Sequence, residues 1–150
     1  MTTSIYDSSE YAAMLYRIDQ LTIESQPLWG KMNVAQMFAH CAEVQEVMNG
    51  KKLKNTPLVA RLFRKMIRKA VLNAKPYGKN TATHPQYAVA KEVDFSTSKS
   101  RFLDALKQAY ESSEEQIEST DHALFGKMSR QEKGWAAFKH HDHHLRQFGV

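Results

Sequence analysis

Two segments of this chain share the form Leu-[Trp or Phe]-Gly-Lys-Met followed by a residue that favours helix starts. They are Leu28–Met32 with Asn33, and Leu124–Met128 with Ser129. Three residues after each capping residue stands a Gln or a Glu, which completes the capping-box pattern. Each box is followed by apolar residues at helical spacing. The pattern therefore predicts one helix over residues 34–48 and a second from Arg130 towards the end of the chain.

Apolar residues elsewhere also recur at three- and four-residue intervals, as on one face of a helix. Three further helices are predicted: residues 9–24, a basic helix that Pro57 opens, and a long helix from Ser98 to about Ser119. We expect the apolar side of the basic helix to pack on the other helices. The stretch from there to Asp94 is predicted to be a long connection, with a short extended piece at residues 87–93. The fold class predicted is all-α.

The chain has 150 residues, a length typical of one domain, so a single domain over residues 1–150 is expected. It has no apolar run of the roughly 20 residues that a membrane span needs, and its first residues do not resemble a signal peptide. A cytoplasmic location is the default expectation. The single cysteine, Cys41, cannot form an internal disulfide, which fits a reducing compartment.

The positive charge of the chain is concentrated in one region. Residues 51–91 contain eleven Lys or Arg and no Asp or Glu, although the net charge of the whole chain is only +5. A solvated helix face is the simplest interpretation; attraction of an anionic substrate or thiol is a second. Nucleic acid is an unlikely partner, because the region has few aromatic residues and no known nucleic-acid motif. Contact with a membrane surface stays a minority interpretation.

Four of the seven histidines lie between residues 140 and 144. Residues four apart on a helix lie one above the other, so His140 and His144 can direct both rings towards one ion. His40 lies at the edge of the apolar stripe of the helix that follows Asn33. Counted from the two capping residues, the three histidines stand at positions 7, 11 and 15, so they face comparable sides if the two helices pack together.

Structural explanations for these residues remain open at this point. Histidines near a helix C-terminus complement the helix dipole, and His40 could be a hydrogen-bonded core residue. Glu43 and Gln36 lie within one turn of His40 and could orient its ring, whereas exposure and capping are their simpler roles. Cys41 diverges from His40 by about 100° around the helix, so we expect a buried, inert thiol.

The segments Trp29–Cys41 and Phe125–Met128, together with the C-terminal Lys139–Gly149, resemble the signature of the DUF1569 family of the DinB/YfiT-like superfamily. The resemblance extends over nearly the whole chain. Its most specific part is an H-x-x-H-H-x-x-Q pattern, formed by His140, His143, His144 and Gln147.

This resemblance implies a DinB/YfiT-like four-helix bundle, here with an extra short basic helix in a long connection. It also implies a divalent metal held by one histidine of the second helix and an H-x-x-x-H pair of the last helix. At the matching positions these are His40, His140 and His144. His143 and Gln147 would then support the site from beside the ligands, as would Glu43.

Three neutral imidazoles leave an open coordination position, as catalytic zinc sites do. Zinc or nickel suits such ligands, and ligand type does not separate the two metals. The ion could activate water or a small thiol. The chain lacks the paired Glu-x-x-His motifs of di-iron bundles and the His-Glu-x-x-His motif of zinc proteases, which disfavours those chemistries.

Two functional hypotheses follow. The first is a metal-dependent enzyme of the hydrolase or thiol-transferase type that acts on a small substrate, with a low-molecular-weight thiol as a possible second cofactor. The alternative is a non-enzymatic helical binding or stress-response module, with a structural metal or none. A homodimer is compatible with either hypothesis.

Overall fold

The computed structural model describes residues 3–150, and that part of the chain is helical without a β-strand. The predicted all-α class is therefore confirmed. Over this range the chain forms seven α-helices: α1 (Ser8–Asp19), α2 (Val34–Met48), α3 (Leu58–Leu62), α4 (Arg64–Leu72), α5 (Phe95–Glu111), α6 (Glu114–Ser119) and α7 (Arg130–Gln147). A single 3₁₀ turn, Pro85–Tyr87, lies between α4 and α5.

The core lies between α2, α5 and α7. Helix α2 packs mainly along α5 and also against α7, and α7 in turn contacts α1. The largest buried side chains of this core include Met14, Met37, Phe38, Phe102 and Leu145. A four-helix bundle and a single domain over residues 1–150 stay predictions. None of the helices in the described part of the chain is both long enough and apolar enough to span a membrane.

Both predicted capping boxes are confirmed. The Asn33 side chain accepts a hydrogen bond from the Gln36 N–H at 2.9 Å, and the Gln36 side chain accepts one from the Asn33 N–H at 3.0 Å. Ser129 and Glu132 form the same reciprocal pair, at 3.2 and 3.0 Å. Two N–H groups that the first turn would leave unpaired are thus satisfied at each helix. Helices α2 and α7 begin at the predicted residues.

Helix α1 is shorter than predicted, because it ends at Asp19 and not at Glu24. After Asp19 the N–H groups of Leu21 and Ser25 bond to carbonyls only three residues back. The Ser25 hydroxyl also accepts a hydrogen bond from the Thr22 N–H. These local bonds replace the helical ones, as Ser and Thr side chains do in turns.

The long helix predicted from Ser98 to about Ser119 is two helices, and it begins earlier. The Asp94 carboxylate accepts a hydrogen bond from the Thr97 N–H at 2.7 Å and starts α5 at Phe95. The helix stops at Ser112, and Ser113 forms a third capping box with Gln116 that starts α6. The sequence pattern did not predict the break at residues 112–113, because the apolar spacing continues across it.

The basic region differs most from the prediction. It forms two helices, α3 and α4, separated at Phe63, and most of its large apolar side chains are exposed. The second half of α4 is attached: Arg68 pairs with Glu132 of α7 at 2.7 Å, and Val71 and Leu72 pack beside Met48 and Met128. Within the predicted extended piece at residues 87–93, Tyr87 ends a 3₁₀ turn, Ala88 is extended, and residues 88–93 form no β-strand.

Gly134 allows the N-terminal segment to lie close to α7. A Cβ atom at this position would stand 2.1 Å from Ser4 Oγ and 2.7 Å from Tyr6 Cδ2. We therefore predict that Gly134→Ala lowers the free energy of unfolding by about 1–2 kcal/mol, because crowding outweighs the roughly 1 kcal/mol that alanine gains in a helix. Urea unfolding measures this change. Ser100→Ala, at an exposed position of α5, is the matched control; equal or higher stability of Gly134→Ala would contradict the packing described.

Candidate metal centre

The structure brings together the three imidazoles that the sequence singles out. His40 lies on α2, and His140 and His144 lie one turn apart on α7. The ring centroids are 5.0 Å apart for His40 and His140, and 4.7 Å apart for the other two pairs. One ring nitrogen from each residue lies within 4.8 Å of the others. This spacing can hold a metal ion.

The ring of His40 is oriented by a backbone carbonyl. Its Nδ1 atom lies 2.8 Å from the carbonyl oxygen of Tyr87, in the 3₁₀ turn. A carbonyl only accepts hydrogen bonds, so Nδ1 carries the proton and Nε2 keeps its lone pair. That Nε2 atom faces the cluster, 3.0 Å from Nε2 of His140. The hydrogen bond thus prepares His40 to bind a cation through Nε2.

His144 is oriented in the same sense by Gln147. The two side chains are joined by a 2.8 Å hydrogen bond between His144 Nδ1 and Gln147 Oε1. The amide of Gln147 is itself fixed, because its Nε2 donates to the carbonyl of Trp29 at 2.8 Å. Nδ1 of His144 therefore donates, and its Nε2 keeps a lone pair.

Gly30 makes this arrangement possible. A Cβ atom at Gly30 would lie 2.5 Å from Gln147 Nε2, and the residue has φ +83°, a conformation that favours glycine. The Leu-Trp-Gly-Lys-Met segment before α2 therefore does more than introduce a helix, because its backbone also holds the side chain that orients His144.

A longer chain of hydrogen bonds reaches His140. Asn49 Nδ2 donates to the Ala105 carbonyl at 2.9 Å, so its Oδ1 is free to accept from Gln45 Nε2, also at 2.9 Å. Gln45 Oε1 then accepts from Nε2 of His141 at 2.8 Å. Nδ1 of His141 is left as an acceptor, 3.4 Å from Nδ1 of His140. This order of donors puts the proton of His140 on Nδ1 and a lone pair on Nε2.

The three side chains therefore direct Nε2 lone pairs towards one point. With all three protons on Nδ1, no proton stands between His40 and His140, although their Nε2 atoms are 3.0 Å apart. Lone pairs at this distance repel each other unless a cation lies between or beside them. Neutral imidazoles with an acceptor on the other nitrogen are the ligand set that zinc and similar ions take. The residues present thus fit a divalent transition metal.

Burial keeps these imidazoles neutral. It lowers the pKa of His144 to about 3 and lowers the pKa of His40, and neighbouring imidazoles add to the effect. The pKa of His140 falls well below its usual value for the same reasons, with burial first. Histidine binds a metal as the neutral ring, so little proton loss opposes binding at neutral pH.

Glu43, considered from the sequence as a residue that orients His40, hydrogen-bonds to other residues. The carboxylate is buried and accepts hydrogen bonds from Lys51 and Gln86, both at 2.7 Å, and from Arg101. Burial opposes its ionisation, but these donors outweigh burial and hold the pKa of Glu43 below its usual value. Because Gln86 precedes Tyr87, Glu43 instead holds the turn that carries the carbonyl on His40.

Gln36 and His143 take different places around the cluster. Gln36 caps α2 and also donates to the Lys91 carbonyl at 3.2 Å, so it does not orient His40. His143 is half-buried, with its ring 5.8 Å from the rings of both Trp29 and Tyr77. These three side chains form the rim of the histidine cluster.

Cys41 belongs to a second group that could hold a metal, together with His140 and His141. The arrangement suits an ion less well. The thiol is fully buried and lies 3.7 Å from Met37 Sδ, and burial raises its pKa, which disfavours the thiolate that binds metals. His141 is also engaged on both ring nitrogens. The inert thiol expected from the sequence agrees with this environment.

Several supporting residues were missed by the sequence analysis. Gln45 lies four residues after Cys41 on the buried face of α2, so an amide among apolar positions was a usable signal. His141 is buried in the core, where its Nδ1 atom lies 3.4 Å from Nδ1 of His140 and orients that ring. Tyr87 orients His40 through its backbone carbonyl. Every residue type has this group, so the sequence could not predict the interaction.

The neutral histidines predict a pH-dependent stability of the metal-free protein. Unfolded imidazoles bind protons below about pH 6.5, whereas these folded ones do so only at lower pH. The free energy of unfolding should be constant just above pH 6.5 and fall as the pH decreases below it, by more than about 1.4 kcal/mol per pH unit, the value for one proton. Urea unfolding of chelator-treated protein between about pH 7.5 and pH 5 measures this; equal stability across that range would contradict the neutral, buried cluster.

Comparison with known proteins supplies a family and no activity. A family model described as "Protein of unknown function (DUF1569)" matches residues 5–149. No curated protein matched the chain, and no solved structure did. Because the matched region includes almost every residue, the chain belongs to the DUF1569 family.

Proposed function

We propose that this protein is a metal-dependent enzyme in which His40, His140 and His144 bind one divalent ion through their Nε2 atoms. The observation that carries the proposal is the convergence of the three lone pairs, each fixed by a hydrogen bond on the opposite ring nitrogen. A buried core histidine needs one partner and a fixed ring, but it does not need two other acceptors facing it. Histidines that only complemented the dipole of α7 would not need these ring orientations either.

Zinc or nickel is the ion that this ligand set favours. Calcium and magnesium prefer oxygen ligands, and the three imidazoles offer none. When bound, such an ion would acidify a water molecule or a small thiol at the open coordination position. The protein residues would hold the ligands in place, and Gln147 and Gln45 would keep the ring protons on Nδ1.

The surroundings of the cluster support a small-molecule substrate. Trp29, Tyr77 and His143 form its rim, and the Lys79 ammonium lies 4.5 Å from the centroid of the Trp29 ring. A cation beside aromatic surfaces suits an anionic or partly apolar compound. We therefore favour hydrolysis, or transfer of a low-molecular-weight thiol, on a small electrophile.

The resemblance to the DinB/YfiT-like superfamily belongs to this proposal. That superfamily has a four-helix bundle with a histidine-bound metal and includes thiol-dependent transferases. The packing of α2 against α5 and α7, with His40 facing the pair on α7, is compatible with such a bundle. A cytoplasmic location and a homodimer stay predictions.

Metal content is the first test. We expect untagged protein to bind about one zinc or nickel ion per chain, by elemental analysis after purification or after reconstitution and desalting. His40→Ala, His140→Ala and His144→Ala should each reduce this content strongly, because two imidazoles hold the ion poorly. His122→Asn removes a histidine outside the cluster, keeps an acceptor for the Leu124 and Phe125 N–H groups, and is the matched control. Metal-free wild-type protein after reconstitution, or equal content in all variants, would contradict the proposal.

A second prediction concerns the residues behind the ligands. Replacing Gln147 with Leu removes the acceptor that keeps the His144 proton on Nδ1, so metal affinity should fall about 10- to 100-fold. Competition with a coloured chelator measures the affinity. Gln20→Leu, an exposed change outside the cluster, should bind as tightly as wild type. Unchanged affinity of Gln147→Leu would show that ring orientation does not depend on this hydrogen bond.

A structural metal is the second candidate, favoured by the burial of His40 and His144. The two roles differ in whether the ion keeps an exchangeable ligand. In cobalt-substituted protein, a small thiol should change the visible absorption spectrum if a coordination position is open. A spectrum unchanged by thiol, together with a large loss of thermal stability on chelation, would favour the structural role.

A further inference from the structure

Large apolar side chains are exposed together on α3 and the start of α4. Of the eight large hydrophobic residues that are exposed in the described part of the chain, five fall within nine consecutive positions: Leu58, Val59, Leu62, Phe63 and Met66. Leu58 is 79% exposed and Leu62 is 75% exposed. Single apolar residues on a surface are ordinary, but a contiguous group marks an interaction site. We call these five residues the α3–α4 apolar face.

The face is held in a defined place, because the other end of α4 is anchored on α7. Lys139 Nζ donates to the carbonyls of Ala70 and Asn73, both at 2.9 Å, and Trp135 Nε1 donates to the Leu72 carbonyl at 3.1 Å. These bonds satisfy the last carbonyls of α4, which would otherwise lack partners. The apolar face therefore projects from an attached helix.

Basic side chains accompany the apolar face. Arg61, Arg64 and Lys65 are exposed within the same stretch, and no acidic residue occurs from Lys51 to Lys91. The apolar positions 58, 59, 62, 63 and 66 recur at intervals of three and four residues, and so do the basic positions 61, 64 and 65 beside them. Arg68, one turn further on, pairs with Glu132 of α7 and is not part of this group. A strongly amphipathic helix with a basic polar side is the form of helices that lie in the interface of a membrane.

The charge decides between possible partners. In a symmetric contact with a second copy of the chain, the same patch meets itself, so the basic residues would face one another. Nucleic acid would neutralise the charge but leave the apolar side chains in water, with Phe63 as the only aromatic residue of the face. An anionic bilayer accepts both sets, because apolar side chains enter the boundary of the acyl chains while Lys and Arg meet the headgroups.

We propose that the α3–α4 apolar face, with its flanking basic residues, binds the surface of anionic lipid membranes. Binding is peripheral, with the face lying along the interface. The proposal does not depend on the metal centre.

The test is flotation of untagged full-length protein with two kinds of vesicle: phosphatidylcholine alone, and phosphatidylcholine with about one-third phosphatidylglycerol. We expect binding to the anionic vesicles only, weakened by salt. The double variant Leu62→Glu/Met66→Glu should lose binding. Tyr16→Glu/Ile23→Glu changes two side chains of similar exposure elsewhere and should bind as wild type does. Unfolding temperatures close to the wild-type value confirm that both variants are folded.

Charge is tested separately. The triple variant Arg61→Ser/Arg64→Ser/Lys65→Ser should bind anionic vesicles about a hundredfold more weakly, because each basic residue near such a surface contributes about fivefold. Three outcomes would overturn the proposal. The first is no binding of the wild-type protein to anionic vesicles, and the second is binding that persists in Leu62→Glu/Met66→Glu. The third is a wild-type protein that does not bind vesicles but uses this face to form a dimer or to bind DNA.

Discussion

The convergence of three neutral imidazoles is the constraint on which most of this structure depends. Nε2 of His40 and Nε2 of His140 are 3.0 Å apart, and the hydrogen bonds behind them place no proton between the two. Such an arrangement is costly in a metal-free core, because burial removes the water that would otherwise separate the lone pairs. It becomes favourable when a cation is bound. On the proposed function, this geometry serves metal binding and not the stability of the metal-free protein.

The supports for this geometry come from distant parts of the chain. Gln45 lies on the same helix as His40 and acts on His140, whereas Gln147 uses the backbone before α2 to hold His144. The support for His40 comes from a region, residues 51–97, in which no residue is fully buried. The Tyr87 carbonyl is kept in place there through Gln86 and the buried Glu43. The least buried part of the chain therefore completes the site, so changes in that part could reach the ligands.

The sequence predicts those parts of the fold and the site that depend on neighbouring residues, and not those that depend on distant packing. The capping boxes at Asn33 and Ser129 are local, so the sequence predicted the start and phase of α2 and α7, and hence the meeting of the three histidines. Breaks between helices were missed, because Ser113 competes with an apolar pattern that continues past it. The exposed face of α3 was also missed, since amphipathic spacing shows that a helix has an apolar side but not what covers it. The hydrogen bond from His40 to the Tyr87 carbonyl could not be predicted, because every residue has a backbone carbonyl.

The most direct test of the central claim is an anomalous-scattering map of zinc- or nickel-loaded crystals, recorded at the absorption edge of the metal. The account predicts one peak bonded to Nε2 of His40, His140 and His144 at about 2.0–2.1 Å, the usual zinc–nitrogen distance, with Nδ1 of each ring still turned towards its acceptor. Absence of a peak among the three rings, or a peak on Cys41 Sγ and His141 instead, would contradict it.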